Sequence, residues 1–294
     1  MNLLRAATLV VPDPEAAAQR YVDWLGYRRV EQGRVDAELA DSWGAPAMAG
    51  RAYVVCGPSS GAEVFLRFIE GGAPAPVPPL RTYGWAALEI CVADTLKVAE
   101  QMAASPFEII GPPRELDGMP EIFPMQVRGV DDEIVYLTQI RAQPAGVRLA
   151  QAQSLIDRLF ILVMACSDLG ATRRFFADTL GLALHPEVSL RYTMLSKAFD
   201  LPEETRHVIA TSGHEIDTFL EFDQYPASAT PRPQRPGELA PGIALVTLLH
   251  PAIDGLAHVL LTPPGSRAGA VYGGRRQGVA RGPDGTLVEL VALG

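Results

Sequence analysis

Three cysteines stand in 294 residues, Cys56, Cys91 and Cys166, too few and too widely spaced for a disulfide framework or a zinc knuckle. Two of them sit in apolar, strand-like runs, where a thiol behaves as a small core hydrophobe. Positive charge is also short. The formal net charge is −9 and the sequence pI near 5.1, with the arginines scattered, so the concentrated basic surface that a nucleic acid requires is missing. No apolar run reaches the ~18 residues of a membrane span, and the first residues lack the basic-then-apolar layout of a secretory signal. Nucleic acid and membrane are therefore set aside as partners, and a reducing cytoplasm is the expected location. With 48% apolar and 20% charged residues, the chain has the material for proper cores and the length of about two domains.

What the sequence does have is internal repetition. The stretch from Leu159 to Leu182 runs from an apolar strand through Ser167-Asp168 into a helix that closes on Leu180-Gly181. The stretch from Ala7 through Asp13 and Tyr21 to Leu25-Gly26 repeats it. Leu25 matches Leu180 at an offset of 155, Leu66 matches Leu220 at 154, and the closing strand from Asp131 matches that from Asp284 at 153. Offsets this constant mark a tandem duplication, because each repeated unit must bury its apolar face against another copy.

Each half holds two smaller units with the order β-α-β-β-β. In the first, Asp13 caps a helix that carries Pro14 and Glu15 in its first turn and ends at Gly26. The second opens with Gly84 to Asp94 and the helix from Thr95. The fourth opens with Ile243 to Leu249 and a predicted helix over Ala252 to Leu260. Proline-rich linkers, Gly71 to Pro79 and Pro226 to Pro241, separate the units within each half. The polar stretch from Arg141 to Gln151 divides the halves. The expected organisation is an N-terminal domain over 1–142, with units at about 1–72 and 80–142, and a C-terminal domain over 152–294, with units at about 152–226 and 240–294.

The lines "SDLGATRRFFADTLGL" and "GPDGTLVEL" resemble members of the vicinal oxygen chelate superfamily, which includes glyoxalases, bleomycin-resistance proteins and extradiol dioxygenases. The resemblance covers nearly the whole chain, and four units in one chain look most like the type I extradiol dioxygenases. It implies an α+β fold in which four tandem βαβββ modules form two paired, U-shaped, incomplete-barrel mixed β-sheets with flanking helices. It also implies a divalent Fe, Mn, Zn or Ni ion, held by residues of the first and last strands of the modules. Pairing of sheet edges between chains in this fold leaves a homodimer open.

The implied ligand set is incomplete here. Glu289 and Glu221 fit the last-strand carboxylates of the fourth and third modules. Counting seven residues back from the helix-opening Asp places the first-strand positions at Ala6, Ala87, Ile161 and, in the fourth module, at or near Ile243. None of these can bind a metal, and the remaining last-strand positions are Arg67 and Tyr136. His207 and His250 are the weak substitutes. Without a metal, Glu289 and Glu221 facing one cavity in the C-terminal half would have raised pKa values and could act as general base or acid. Arg275 and Arg276, beside Tyr272 and glycines, could clamp a ligand carboxylate, while a solvated glycine-rich hairpin explains the same letters. Strand alternation puts Phe219 on the face of Glu221, and Phe65 on that of Arg67. The expected function is an enzyme acting on a small oxygenated compound, aromatic or carbonyl-bearing, of lyase, isomerase or dioxygenase class. The alternative is a metal-free protein that binds or sequesters a small organic molecule.

Overall fold

The computed structural model describes residues 1–74 and 77–294. Ala75 and Pro76, in the middle of the first proline-rich linker, lie outside the described residues. The first module comprises β1 (Leu4–Val11), α1 (Pro14–Trp24), β2 (Tyr27–Arg34), α2 (Ala37–Ser42), β3 (Ala52–Pro58) and β4 (Phe65–Glu70). The second comprises β5 (Gly84–Val92), α3 (Thr95–Ala103), β6 (Glu108–Gly111), β7 (Ile122–Arg128) and β8 (Ile134–Ile140). The third comprises β9 (Ile156–Cys166), α4 (Leu169–Arg174, followed by a π-helical turn over Phe175–Thr179), β10 (Ala183–Leu184), β11 (Val188–Arg191), α5 (Thr193–Ala198), β12 (Arg206–His214) and β13 (Asp217–Gln224). The fourth comprises β14 (Gly242–His250), β15 (Gly265–Ser266), β16 (Arg276–Arg281) and β17 (Leu287–Ala292).

The helix starts follow from their caps. Asp13 accepts from the backbone N–H of Glu15 and Ala16, Asp94 from Leu96 and Lys97, and Asp168 from Ala171, which satisfies donors that the first helical turn leaves unpaired. The fourth module departs from expectation, since the helix over Ala252 to Leu260 is only a 3-10 turn at Ile253–Leu256. Gly255 lies inside it and Pro251 precedes it, and neither supports a longer helix.

The sheets pair the modules in a nested order. One curled sheet runs β15-β16-β17-β14-β1-β4-β3-β2, uniting the first and fourth modules; the other runs β10-β12-β13-β9-β5-β8-β7-β6, uniting the second and third. The joints are antiparallel pairs of opening strands, β1 with β14 and β5 with β9. Two halves that each close on themselves, at 1–142 and 152–294, do not describe this arrangement. Both β1 and β5 lie in the N-terminal half, yet they belong to different sheets. The duplication was legible because it lies in the sequence, whereas the choice of partner depends on which strand edges meet.

A single core lies between the two sheets. Tyr21 and Leu25 of α1, Val98 and Met102 of α3, and Phe176 pack there with Leu66, Phe68, Leu162 and Leu220. Across this layer Trp85 of β5 donates its indole N–H to the Leu287 carbonyl at 3.0 Å, and the Tyr27 hydroxyl accepts from the Leu159 N–H at 3.0 Å. The opposite faces of the sheets carry separate apolar clusters, around Trp43 and Val271 in the first sheet and Phe160 and Ile161 in the second. Among the described residues no helix is long and apolar enough to cross a membrane.

This topology makes a fragment test. Residues 1–142 expressed alone should lack cooperative unfolding and near-ultraviolet circular dichroism, because β1 and β5 have each lost a neighbour. Adding residues 143–294 should restore both signals. A fragment that melts cooperatively by itself would contradict the nested pairing.

Candidate functional site

The strand registers define the four central positions of each inner face. In the first sheet Thr8 lies beside Arg67, and Thr247 beside Glu289. In the second, Glu89 lies beside Tyr136, and Val163 beside Glu221. The opening-strand positions are therefore Thr8, Glu89, Val163 and Thr247, replacing Ala6, Ala87, Ile161 and Ile243. In three modules the position falls five residues before the capping Asp, at Asp13, Asp94 and Asp168. A count of five instead of seven would have found Glu89 in the sequence.

Glu289 and Glu221 do not share a cavity, because they lie on different sheets. Glu289 is fully buried. One of its oxygens accepts from Trp43 Nε1 at 2.8 Å, the Tyr272 hydroxyl at 2.9 Å and Gln277 Nε2 at 3.0 Å. The other accepts from Thr247 Oγ1 at 2.6 Å and Arg67 Nη2 at 3.0 Å. Arg67, itself buried, also donates to Thr8 Oγ1 at 3.0 Å and to the Tyr272 hydroxyl, and lies 4.8 Å from the centroid of the Trp43 ring. Burial opposes its charge, but Tyr272 and Glu289 outweigh burial and hold its pKa above the ordinary arginine value. Five donors on one carboxylate leave it no capacity to take a proton from a ligand. A guanidinium beside the place implied for a metal supplies the cation internally, so this face does not fit a metal ion.

Removing the negative partner leaves a buried cation unpaired, which costs about 3–5 kcal/mol. Glu289→Gln should therefore lower stability by that amount in chemical denaturation, while Arg275→Ala should be close to neutral. An unchanged denaturation midpoint for Glu289→Gln would remove the ion pair from the account.

The inner face of the second sheet is built differently. A cavity of about 270 Å³ is lined by Leu116, Ile122, Phe160, Ile161 and Ile209, with Glu89, Glu221 and His185 also on its wall. No Lys, Arg, Ser or Cys lines it. Glu89 is 7% exposed, and one of its oxygens accepts from Thr138 Oγ1 at 2.6 Å. Among the described residues no donor reaches its other oxygen, and the Glu221 carboxyl is hydrogen-bonded to that of Asp223. Asp223, next along the same face of β13, is 2% exposed, and its Oδ1 has no partner. Burial, followed by the charge of Glu221, pushes the Glu89 pKa up to about 8, with the Thr138 hydrogen bond opposing. Burial and Asp223 raise that of Glu221, and burial raises that of Asp223. His185 is held between Thr211 Oγ1 at 3.0 Å, Thr218 Oγ1 at 3.2 Å and the Glu215 carbonyl at 3.3 Å.

The remaining expected site residues lie elsewhere. Arg275 donates to the Tyr272 carbonyl at 2.8 Å and Arg276 pairs with Asp254, so neither is a ligand clamp in a described cavity. Tyr272 bridges Arg67 and Glu289. His207 is hydrogen-bonded to Ser196 at 3.0 Å and His250 to the Leu180 carbonyl at 3.2 Å; burial lowers both pKa values, as suits neutral structural rings. Phe219 belongs to the core between the sheets, not to the face of Glu221. The pairing jumps from Ser212↔Leu220 to Gly213↔Thr218, which makes Phe219 the extra residue of a β-bulge and breaks the alternation there. Phe65 and Arg67 do share a face. Sequence reading missed Glu89, Asp223, His185 and Trp43.

A divalent metal needs three or more N or O ligands in fixed geometry. The central positions of the second sheet offer Glu89 and Glu221 with Tyr136 and Val163. Among the described residues no group of three or more His, Cys, Asp or Glu is arranged to hold an ion. This face does not fit the implied metal either.

Between pH 4.5 and about 8 the folded protein keeps a proton on Glu89 that the unfolded chain gives up, so this residue makes stability fall as pH rises through that window. In calorimetry at pH 5 and pH 8, Glu89→Gln should lose less Tm than the parent. Equal losses would mean that Glu89 titrates normally.

No protein-family model matches the sequence, and no curated relative is similar to it at the sequence level. Solved structures are similar in fold. Glyoxalase I from Zea mays superposes with a TM-score of 0.65 at 16% identity, over 100% of this chain and 93% of that one. A dioxygenase-like protein from Bacillus subtilis superposes with a TM-score of 0.59 at 12% identity, over 98% and 84%.

Proposed function

The chain has the fold of the vicinal oxygen chelate superfamily, and we propose that it is an enzyme of lyase or isomerase class acting on a small oxygenated organic compound by carboxylate proton transfer. The observation that carries this reading is Glu221, a carboxyl of raised pKa whose side chain pairs only with that of Asp223, beside Glu89 in an apolar cavity. Burial raises the basicity of such a carboxylate, which suits it to removing a proton from a carbon next to a carbonyl. The C–H bond breaks, the proton moves to a Glu221 oxygen, and the electron pair moves onto the carbonyl oxygen. Where the deprotonated carbon carries a hydroxyl, its O–H proton passes to the enolate oxygen and return of the carbon proton to the former carbonyl carbon completes an isomerisation; departure of a β substituent with its electron pair completes an elimination. The scaffold's likeness to glyoxalase I supports an enzyme at the level of fold alone. Oxygenase chemistry would need a metal centre that the donor sets do not fit.

The test uses hydrogen exchange. Carbonyl compounds that raise the Tm are incubated with the protein in D₂O, and the loss of their α-proton signals is followed by NMR. Exchange should be catalysed by the parent and slowed at least about 100-fold in Glu221→Gln. A compound that binds without any exchange would favour the sequestering alternative, for which the mostly apolar wall speaks.

A further inference from the structure

We infer that the second-sheet cavity takes an amphiphilic organic cation, a small apolar body carrying a protonated or quaternary nitrogen. The inference deepens the reading above and rests on the same site, but on its charge balance, not on its proton chemistry.

Acidic groups face this cavity or lie behind it from two elements, Glu89 on β5 and Glu221 and Asp223 on β13. Around them stand Thr138 and Tyr136 of β8, Tyr192, and His185. None of these carries a fixed positive charge. On the inner face of the first sheet the buried acid is neutralised, since Arg67 pairs with Glu289. Here the Glu89 carboxyl, more than nine-tenths buried, lines the cavity with one oxygen that no donor reaches among the described residues, and the Glu221 carboxyl pairs only with another acid, Asp223. A buried carboxylate without a partner is costly, so Glu89 keeps its proton until a cation takes that proton's place. A cationic ligand supplies the absent charge, and its apolar part covers Leu116, Ile122 and Phe160 on the wall. Val188, which lines the cavity while remaining 40% exposed, offers an apolar lip for such a ligand. The cation also accounts for what stabilises negative charge developing on a substrate oxygen, because the wall contains no arginine or lysine for that task.

The experiment compares three probes with one apolar body: 4-phenylbutyltrimethylammonium, 4-phenylbutanol and 4-phenylbutyrate, titrated calorimetrically into chelator-treated full-length protein. The cation should bind at least about tenfold more tightly than the alcohol, the margin of one charge-assisted contact, and the anion more weakly than either. Glu89→Gln and Glu221→Gln should each shrink the preference for the cation while leaving the alcohol's affinity unchanged, a result that a misfolded variant would not give. Equal binding of all three, binding of none, or a preference that survives both substitutions overturns the inference. A cation that binds without exchange of its carbon-bound protons keeps this inference and removes proton transfer. A neutral carbonyl compound that exchanges, with no preference for the cation, does the reverse.

Discussion

Everything in this fold depends on the antiparallel contact between opening strands, β1 with β14 and β5 with β9. Neither sheet closes without it. The first and second modules are neighbours in sequence, but β1 takes its partner from the end of the chain and β5 from the middle. Each inner face therefore combines residues from both halves, and Arg67 meets Glu289 across 222 positions of chain. A duplicated sequence yields two faces that are equivalent in backbone and free to differ in side chains.

They differ most in electrostatics. The first face balances its charge internally, with one carboxylate, one guanidinium, a tyrosine, two threonines, a glutamine and an indole joined in a closed network. Such a network is rigid when complete and unstable when any member is lost. On the second face, carboxylates stand at or beside the corresponding positions without a cation, in front of apolar volume. Burial and mutual repulsion raise their pKa values, the usual condition of groups kept for chemistry or recognition. By the same physical argument, the closed network of the first face suits holding the fold together, and the second face is the one on which our proposal rests.

Much of the fold could be read from the sequence because it is local. Asp13, Asp94 and Asp168 announce their helices by capping them, and the Leu-Gly endings repeat. Alternation correctly placed Phe65 with Arg67 but failed at Phe219, because a bulge inserts a residue and no single strand records its partner's register. The site was half legible. Glu221 and Glu289 were identified as carboxylates at central positions, but their roles depend on what stands opposite, and Trp43 and Arg67 come from a module more than two hundred residues away. Glu89 was hidden by a two-residue error in counting along a strand, enough to move the reading to an alanine.

The nested order of the sheets also imposes a sequence in time. The second and third modules are contiguous, so their sheet can form while the ribosome is still extending the chain. The first module, made earliest, must hold the β1 edge open until β14 and β17 have emerged, a wait of roughly 10 to 45 seconds at ordinary rates of synthesis. During that wait its strand Leu4–Val11, buried at every position in the finished fold, is the segment most exposed to wrong partners. The strands of the fourth module, translated after those of the other three, thus serve as the clasp for the first module, and the growing chain's risk of wrong pairing is concentrated at the β1 edge.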